Sequence, residues 1–444
     1  MVDTICALST PWGRSALGLI RISGPNSIRV VETMGAINLI PRSPAVVVLR
    51  DQSDKPIDEC LVTFFKAPNS YTGEDLIEIG AHGNPLILQK LVDEFVSRET
   101  IRLAEPGEFT SRALANGKMS LDQVESLDWI LNSASLEGIR RGLSTKLLGL
   151  SSTTAEVSGQ FLELLTLVQS QLDFSEEETG SIDRKNIETR VEVLLEGLKK
   201  WAESFDINKH LLENWVVALV GPPNSGKSSL FNKLIGQKKA IEFDQPGTTR
   251  DSIEHIIEMD GVGIVLIDTA GIRISNDPIE KIGIEKTHEA IKRADVVCWV
   301  DDEAGQLPPA DLLIQNGNKK WLNILSKADL DRKLEKKGSE QFISVSSRSE
   351  FGIEKLRKAL LPERDVSIHE SSGWVPLTSK RQRALVGFAG EQLAASIEDL
   401  RSGQYLDMTA ERLLSASRAI QGIVEPPKND DVLKEIFSRF CIGK

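Results

Sequence analysis

Short apolar runs separated by Gly- and Pro-rich turns mark the first 118 residues: Leu17 to Ile22, Ala45 to Leu49, Leu61 to Phe65 and Leu76 to Ile79. Runs of this length bounded by turn residues predict strands and, with the segments between them, a compact α+β domain. From Leu121 the period lengthens. Leu121, Val124, Leu127 and Ile130-Leu131, then Phe161, Leu164-Leu165, Val168 and Leu172, recur at helical spacing and predict long amphipathic helices. The acidic piece Ser175 to Ser181 reads as a solvated connection, and another helical run reaches about His210. Trp215 to Val220 is strand-like and opens an alternation of strands and helices to about Leu361, the pattern of a parallel α/β domain. Beyond Trp374 the period is helical again, at Ala384-Leu385, Phe388, Leu393, Ile397 and Leu400, then Leu413-Leu414, Ile420 and Ile423. The expected organisation is an α+β domain over 1–118, a helical domain in two parts over 119–212 and 366–444, and an α/β domain over 213–365 inserted between them.

Composition narrows the function classes. An apolar fraction of 40% and a charged fraction of 27% over 444 residues describe an ordinary globular protein. No apolar stretch approaches the roughly 20 residues that span a bilayer, and the first residues lack the basic-then-apolar order of a signal peptide, so a cytoplasmic protein is expected. Four scattered cysteines, Cys6, Cys60, Cys298 and Cys441, argue against a disulfide framework. A formal charge of -12 makes the chain a poor autonomous binder of phosphate backbones. An RNA partner would need a local patch or a basic companion protein.

The chemistry concentrates in the α/β segment. After the strand ending at Val220, Gly221-Pro222-Pro223-Asn224-Ser225-Gly226-Lys227-Ser228 matches the phosphate-binding loop in its strand-loop-helix context. Backbone N–H groups of Asn224, Ser225, Gly226 and the following Ser229 turn toward phosphates, Lys227 supplies charge, and the Ser228 hydroxyl can ligate Mg²⁺. Thr249, in Pro246-Gly247-Thr248-Thr249-Arg250-Asp251, can complete the Mg²⁺ shell. Asp268-Thr269-Ala270-Gly271 ends a second strand, where the Asp can hold Mg²⁺ through water and the Gly271 N–H can meet a γ-phosphate. Ser326-Lys327-Ala328-Asp329 ends a third; Asp329 can take two hydrogen bonds from guanine and Lys327 can cover the base. Ser346-Ser347-Arg348 offers contacts to the guanine carbonyl. Together they predict a GTPase. Two departures stand out. Ser326 occupies a position where Asn is usual, so one base contact and a brace to the phosphate loop are expected to be lost, with lower nucleotide affinity or guanine selectivity. Ile272 stands where a water-positioning Gln is common, so another group must orient the water.

The segment Phe437-Ser438-Arg439-Phe440-Cys441-Ile442-Gly443-Lys444 raises a separate question. Its cysteine suits a prenylation box in position, but Lys444 and the mixed charges of Pro427 to Asp431 do not. A zinc site would need Cys or His partners at short spacing. A nucleophile and a frayed tail both stay open on these residues alone.

The chain resembles the tRNA-modification GTPase MnmE (TrmE) family nearly end to end. The resemblance is carried by Asp3-Thr4-Ile5, Gly18 to Gly24, Tyr71-Thr72-Gly73-Glu74-Asp75, Pro106-Gly107-Glu108-Phe109-Thr110, Asn116-Gly117-Lys118 and Cys441-Ile442-Gly443-Lys444. It implies an N-terminal folate-binding and dimerisation domain, a split helical domain and an inserted G domain whose two copies meet in a homodimer. It also implies K⁺ beside the phosphates. Asn224 matches the K⁺-binding Asn, and Phe243, Asp244, Gln245, Pro246, Gly247, Thr248 and Thr249 match the K⁺-holding loop, with Phe243, Gln245 and Thr248 as ligands. Glu280 matches the glutamate that positions the catalytic water. Arg21, Glu78, Lys118 and Lys444 match the folate contacts, and Cys441 the cysteine of the modification chemistry, where a thiolate could act as nucleophile or assist proton transfer. Ala81, Asn84, Glu105 and Ser120 depart from the family's residues around these positions, and His82 reads as structural.

The reading that follows is a K⁺-dependent GTPase working with an FAD-dependent MnmG (GidA) type partner in a heterotetramer. It would modify C5 of the wobble uridine of certain tRNAs with a 5-carboxymethylaminomethyl or aminomethyl group. The one-carbon unit would come from a tetrahydrofolate derivative, 5-formyl or 5,10-methylene. The rival is a non-modifying GTP switch in ribosome assembly or signalling, which has no need of a folate pocket or a terminal cysteine.

Overall fold

The computed structural model describes residues 3–35, 38–98, 101–173, 184–212, 214–236, 253–269, 287–302, 307–309, 312, 319–330, 342–362, 374–402, 406–426 and 430–444. The chain divides into two compact units. One comprises Met1–Asp128, Ser144–Ala202 and Trp374–Lys444, the other Trp129–Leu143 and Glu203–Gly373.

The first unit begins with a six-stranded sheet. Its strands are β1 (Thr4–Leu8), β2 (Leu17–Ser23), β3 (Ala45–Arg50), β4 (Pro56–Phe65), β5 (Leu76–His82) and β6 (Ile101–Leu103), in the order β3-β4-β5-β2-β1-β6. All neighbours are antiparallel except β1 and β6. Alternation puts Ile20, Ile22, Ile77, Ile79, Val62 and Phe64 on one face, where helices α1 (Ser27–Glu32) and α2 (Pro85–Val96) cover them with Val31, Leu88, Leu91 and Phe95. The same alternation turns Arg21 and Glu78, direct cross-strand partners, to the opposite face. There Ile5 and Ala7 pack with Phe109 of α3 (Glu108–Ala115). Neither β1 nor β6 was expected. All five residues of β1 are buried, which leaves no polar-apolar alternation to read, and β6 has three residues. Strand β4 starts at Pro56 rather than Leu61, because Asp58 and Glu59 interrupt its apolar run.

Helices α4 (Leu121–Asn132), α5 (Leu136–Leu148), α6 (Ser151–Asp173) and α7 (Arg184–Leu212) follow. The predicted connection Ser175 to Ser181 lies outside the described residues. In the second unit, strands β7 (Trp215–Val220), β8 (Ile253–Met259), β9 (Val262–Asp268), β10 (Val296–Asp301), β11 (Lys320–Leu325) and β12 (Ile343–Ser344) order as β12-β11-β10-β7-β9-β8. All pairs are parallel but β8-β9. Val217 and Leu219 of β7 join one apolar cluster and Ala218 and Val220 another, so both faces of this sheet are buried, as a parallel sheet requires. Helices α8 (Lys227–Gly236) and α9 (Ile353–Leu360) contribute to the first of these clusters.

Helices α10 (Lys380–Ser402), α11 (Leu406–Gln421) and α12 (Asp430–Ser438) return to the first unit, α10 packing on α11 and α11 on α6. A buried ion pair ties α4 to α10. Arg381 meets both Glu125 oxygens at 2.8 and 2.9 Å, and Ser379 and Gln382 donate to the same carboxylate at 2.9 and 2.5 Å. Phe437 and Phe440 of the last segment pack on Val124 and Leu127, which brings residues 441–444 against the N-terminal sheet.

Candidate functional site

Two sets of predicted residues are assembled, one in each unit. In the second unit the loops leaving β7, β9, β11 and β12 gather at the C-terminal ends of the strands, where open α/β sheets hold ligands. The phosphate-loop fold depends on its glycines. Gly221 has φ +153°, and a Cβ there would lie 2.1 Å from the Val300 carbonyl; Gly226 has φ +91°. Lys227 Nζ donates to the carbonyls of Gly221 (3.1 Å) and Pro222 (2.6 Å). Burial holds its pKa below the ordinary lysine value, with Asp268 partly offsetting. Ser228 Oγ donates to Asp268 Oδ2 at 2.9 Å. The other oxygen, Asp268 Oδ1, is buried without a hydrogen-bond partner, and burial raises this carboxyl's pKa. A hydroxyl beside a carboxylate with an orphaned buried oxygen fits a Mg²⁺ ion. The Thr269 hydroxyl turns away, to the Leu219 carbonyl at 2.7 Å.

Around the expected base position, Ser326 Oγ donates to the Ser225 carbonyl at 2.5 Å. The brace expected to be lost is therefore present, made by a shorter side chain. Lys327, at φ +54°, donates to the Asn224 carbonyl at 2.8 Å and to Asp302 at 2.5 Å. Ala328 N donates to Val345 O at 3.1 Å. Asp329 Oδ1 accepts from Ser346 Oγ at 2.7 Å, which holds the exposed Asp329 carboxyl below its ordinary pKa. Ser346 Oγ in turn accepts the N–H groups of Arg348 and Ser349, so the loop that carries Ser347 is shaped from within. Asn224 and Ser229 are exposed beside the loop. Phe243, Asp244, Gln245, Pro246, Gly247, Thr248, Thr249, Ala270, Gly271 and Glu280 lie outside the described residues.

The second set lies on the N-terminal sheet. Arg21 makes an ion pair with Glu78, Nη2 to Oε1 at 2.6 Å, and its Nη1 donates to the Gly443 carbonyl at 3.1 Å. Ser9 Oγ reaches the same carbonyl at 3.0 Å. The guanidinium lies 5.4 and 5.7 Å from the ring centroids of Tyr71 and Phe109. Phe109 N donates to Lys444 O at 3.2 Å, at the start of α3. Burial, then the charges of Arg21 and Lys146, depress the Lys444 pKa, with Cys441 opposing. The stem of Lys118 runs beside Gly73 in the Tyr71 loop. Cys441 is exposed, whereas Cys6, Cys60 and Cys298 are buried; burial pushes Cys60 and Cys298 up to about 12, so neither offers a thiolate.

Some participants escaped the sequence reading. Asp302 holds Lys327, and its signal was an acidic pair ending an apolar strand. Ser9 has no signal of its own, because its partner is distant in the chain. His82 is structural as expected: Asp58 accepts from its backbone N–H and pairs with its Nδ1, both at 2.8 Å, and Asn84 caps α2 by accepting from Leu86 N at 3.0 Å.

Residues 4–118 match the family model for the GTP-binding protein TrmE N-terminus, and residues 216–329 match that for the 50S ribosome-binding GTPase. The chain is 35% identical over its whole length to the tRNA modification GTPase MnmE of Aquifex aeolicus, all of which is covered. It belongs to the tRNA modification GTPase MnmE family. The MnmE of Nitrosospira multiformis is 36% identical, with 100% of this chain and 99% of that one covered. Among solved structures, the G domain of the T. maritima FeoB iron transporter is 30% identical, with 33% of this chain and 97% of that one covered, at a TM-score of 0.26. The MnmE match spans both units, so the N-terminal sheet and residues 441–444 belong to the family pattern as much as the phosphate loop does.

Proposed function

We propose that this chain is a GTP hydrolase of tRNA modification that acts on C5 of a wobble uridine, with a tetrahydrofolate one-carbon unit bound on the N-terminal sheet. The observation that carries the reading is the seating of the segment 441–444 on the N-terminal sheet, where Ser9 and Arg21 donate to the Gly443 carbonyl, Phe109 N donates to the Lys444 carbonyl, and the Arg21 guanidinium lies by the Tyr71 and Phe109 rings. A GTP switch that only toggles binding needs no such arrangement. Glu78 would present its carboxylate to the N–H edge of a pterin, and Lys118 and Lys444 would suit the carboxylates of a folate tail. Cys441 would serve as nucleophile or proton carrier.

In the G domain, Lys227 and the loop N–H groups would hold the phosphates. Mg²⁺, held by Ser228 and Thr249 with Asp268 behind it, would neutralise charge between them. K⁺, held by Asn224 and the 243–249 loop, would supply the charge that an arginine finger supplies elsewhere. Glu280 would orient the water. An FAD-dependent MnmG-type partner and a homodimer complete the reading, the basic companion offsetting a chain of charge -12 on tRNA. A cytoplasmic location suits these partners.

The test is GTP turnover in matched K⁺ and Na⁺ buffers for the wild type and Glu280→Ala. Strong stimulation by K⁺, lost in a variant that still binds GTP, supports the mechanism. Equal rates in both salts and both proteins would sink it.

A further inference from the structure

We propose that this site recognises guanine without using its N7 atom: Ser326 braces the phosphate loop and gives the base no donor, so a 7-deazaguanine nucleotide is accepted as well as GTP. The inference rests on the GTP hydrolase reading proposed above and on the placement of guanine against Asp329 expected from the sequence.

The number of protons on the Ser326 side chain limits what it can do. Ser326 is buried at the end of β11, with its backbone N–H on the Asp301 carbonyl at 2.7 Å. A hydroxyl carries one proton, and a carbonyl can only accept. The 2.5 Å contact to the Ser225 carbonyl therefore commits that proton to the loop, and Ser326 Oγ can offer nothing further except lone pairs. Guanine N7 and O6 are both acceptors. A carboxamide at this position has two N–H protons and reaches one atom further, enough to hold the loop and the base together; Ser326 does only the first.

Two neighbouring donor groups are already engaged, the Lys327 ammonium through two of its three protons. Ala328 N–H is on Val345 O, and the Lys327 ammonium is on the Asn224 carbonyl and the Asp302 carboxylate. That anchors Lys327 to the framework, with its stem left to cover the face of the base rather than its edge. Loop and hydroxyl are in contact: a Cβ built on Gly226 would lie 3.3 Å from Ser326 Oγ. The opposite edge of guanine is well served. Ser346 donates to Asp329 and keeps its carboxylate charged and oriented to accept from N1–H and N2–H. Discrimination in this site thus sits on one edge of the base.

The experiment is equilibrium binding of GTP, 7-deaza-GTP and ITP, with Mg²⁺, to the full-length wild type and to Ser326→Asn. In the wild type, 7-deaza-GTP should bind within two-fold of GTP, while ITP, lacking the 2-amino group, binds more weakly by about ten-fold or more, the size of one hydrogen bond to a charged carboxylate. Ser326→Asn should bind GTP about five-fold more tightly than 7-deaza-GTP, the size of one neutral hydrogen bond. A wild type that binds 7-deaza-GTP five-fold or more weakly while still rejecting ITP overturns the proposal, because another donor then reads N7. Equal binding of ITP and GTP removes the Asp329 placement instead, and the inference with it. If Ser326→Asn does not fold, the wild-type comparison decides alone.

Discussion

Gly443 sits at φ +93°, and a Cβ there would lie 2.6 Å from the Leu8 carbonyl oxygen and 2.8 Å from Ser9 Cα. Left-handed backbone costs an L-residue about 1–2 kcal/mol before any overlap is counted. Gly443→Ala should therefore lower the docked population of residues 441–444 by roughly five- to thirty-fold. Faster amide exchange in that segment and a matching loss of tRNA modification, with GTP turnover unchanged, would be the expected pair of results; unchanged exchange would show that the neighbours give way. At this scale the sequence was legible where a motif names its chemistry. Lys227, Ser228 and Asp268 come together as their spacing predicts. Ser326 was not legible in the same way: the identity of the side chain signalled a lost brace, but whether a shorter group still reaches the Ser225 carbonyl depends on how closely the loops approach.

Among elements, the clearest single fastening is between α4 and α10. Glu125 is buried with four donor contacts from Arg381, Gln382 and Ser379, and Arg381 also serves the carbonyls of Gly422 and Ile423 at 2.6 and 2.8 Å. Removing one partner leaves a buried charge without its mate, so Arg381→Ala should destabilise the first unit by about 3–5 kcal/mol. Arg381→Ala with Glu125→Gln should lose less, because the orphaned charge is gone. Denaturant melts of the two variants check this, and equal losses would mean that packing rather than charge dominates. Periodicity showed the helices being tied, since each exposes a polar stripe. It could not show which polar residue turns inward, because Arg381 and Glu125 are partners 256 residues apart in the chain. The same limit hid β1, whose neighbours on both sides bury every residue.

The whole molecule is built as two compact units, and only one carries the phosphate loop. A ligand that binds only the folded state adds about 2.7 kcal/mol at a hundred times its Kd. A non-hydrolysable GTP analogue with Mg²⁺ should therefore raise one of two calorimetric transitions and leave the other in place; a shift of both would show that the units unfold together. Fold class and the insertion were legible in the change of hydrophobic period at Leu121, Trp215 and Trp374, because such changes report the partners each segment will have. Contacts that close over long stretches of chain left no such trace. The bond from Ser9 to Gly443 joins positions 434 residues apart. At about 5–20 residues per second, a ribosome delivers the second partner roughly 20 to 90 seconds after the first. For that interval the nascent N-terminal sheet waits without residues 441–444, and a chain that stops before them keeps its phosphate loop while Ser9 and Arg21 lack the Gly443 carbonyl.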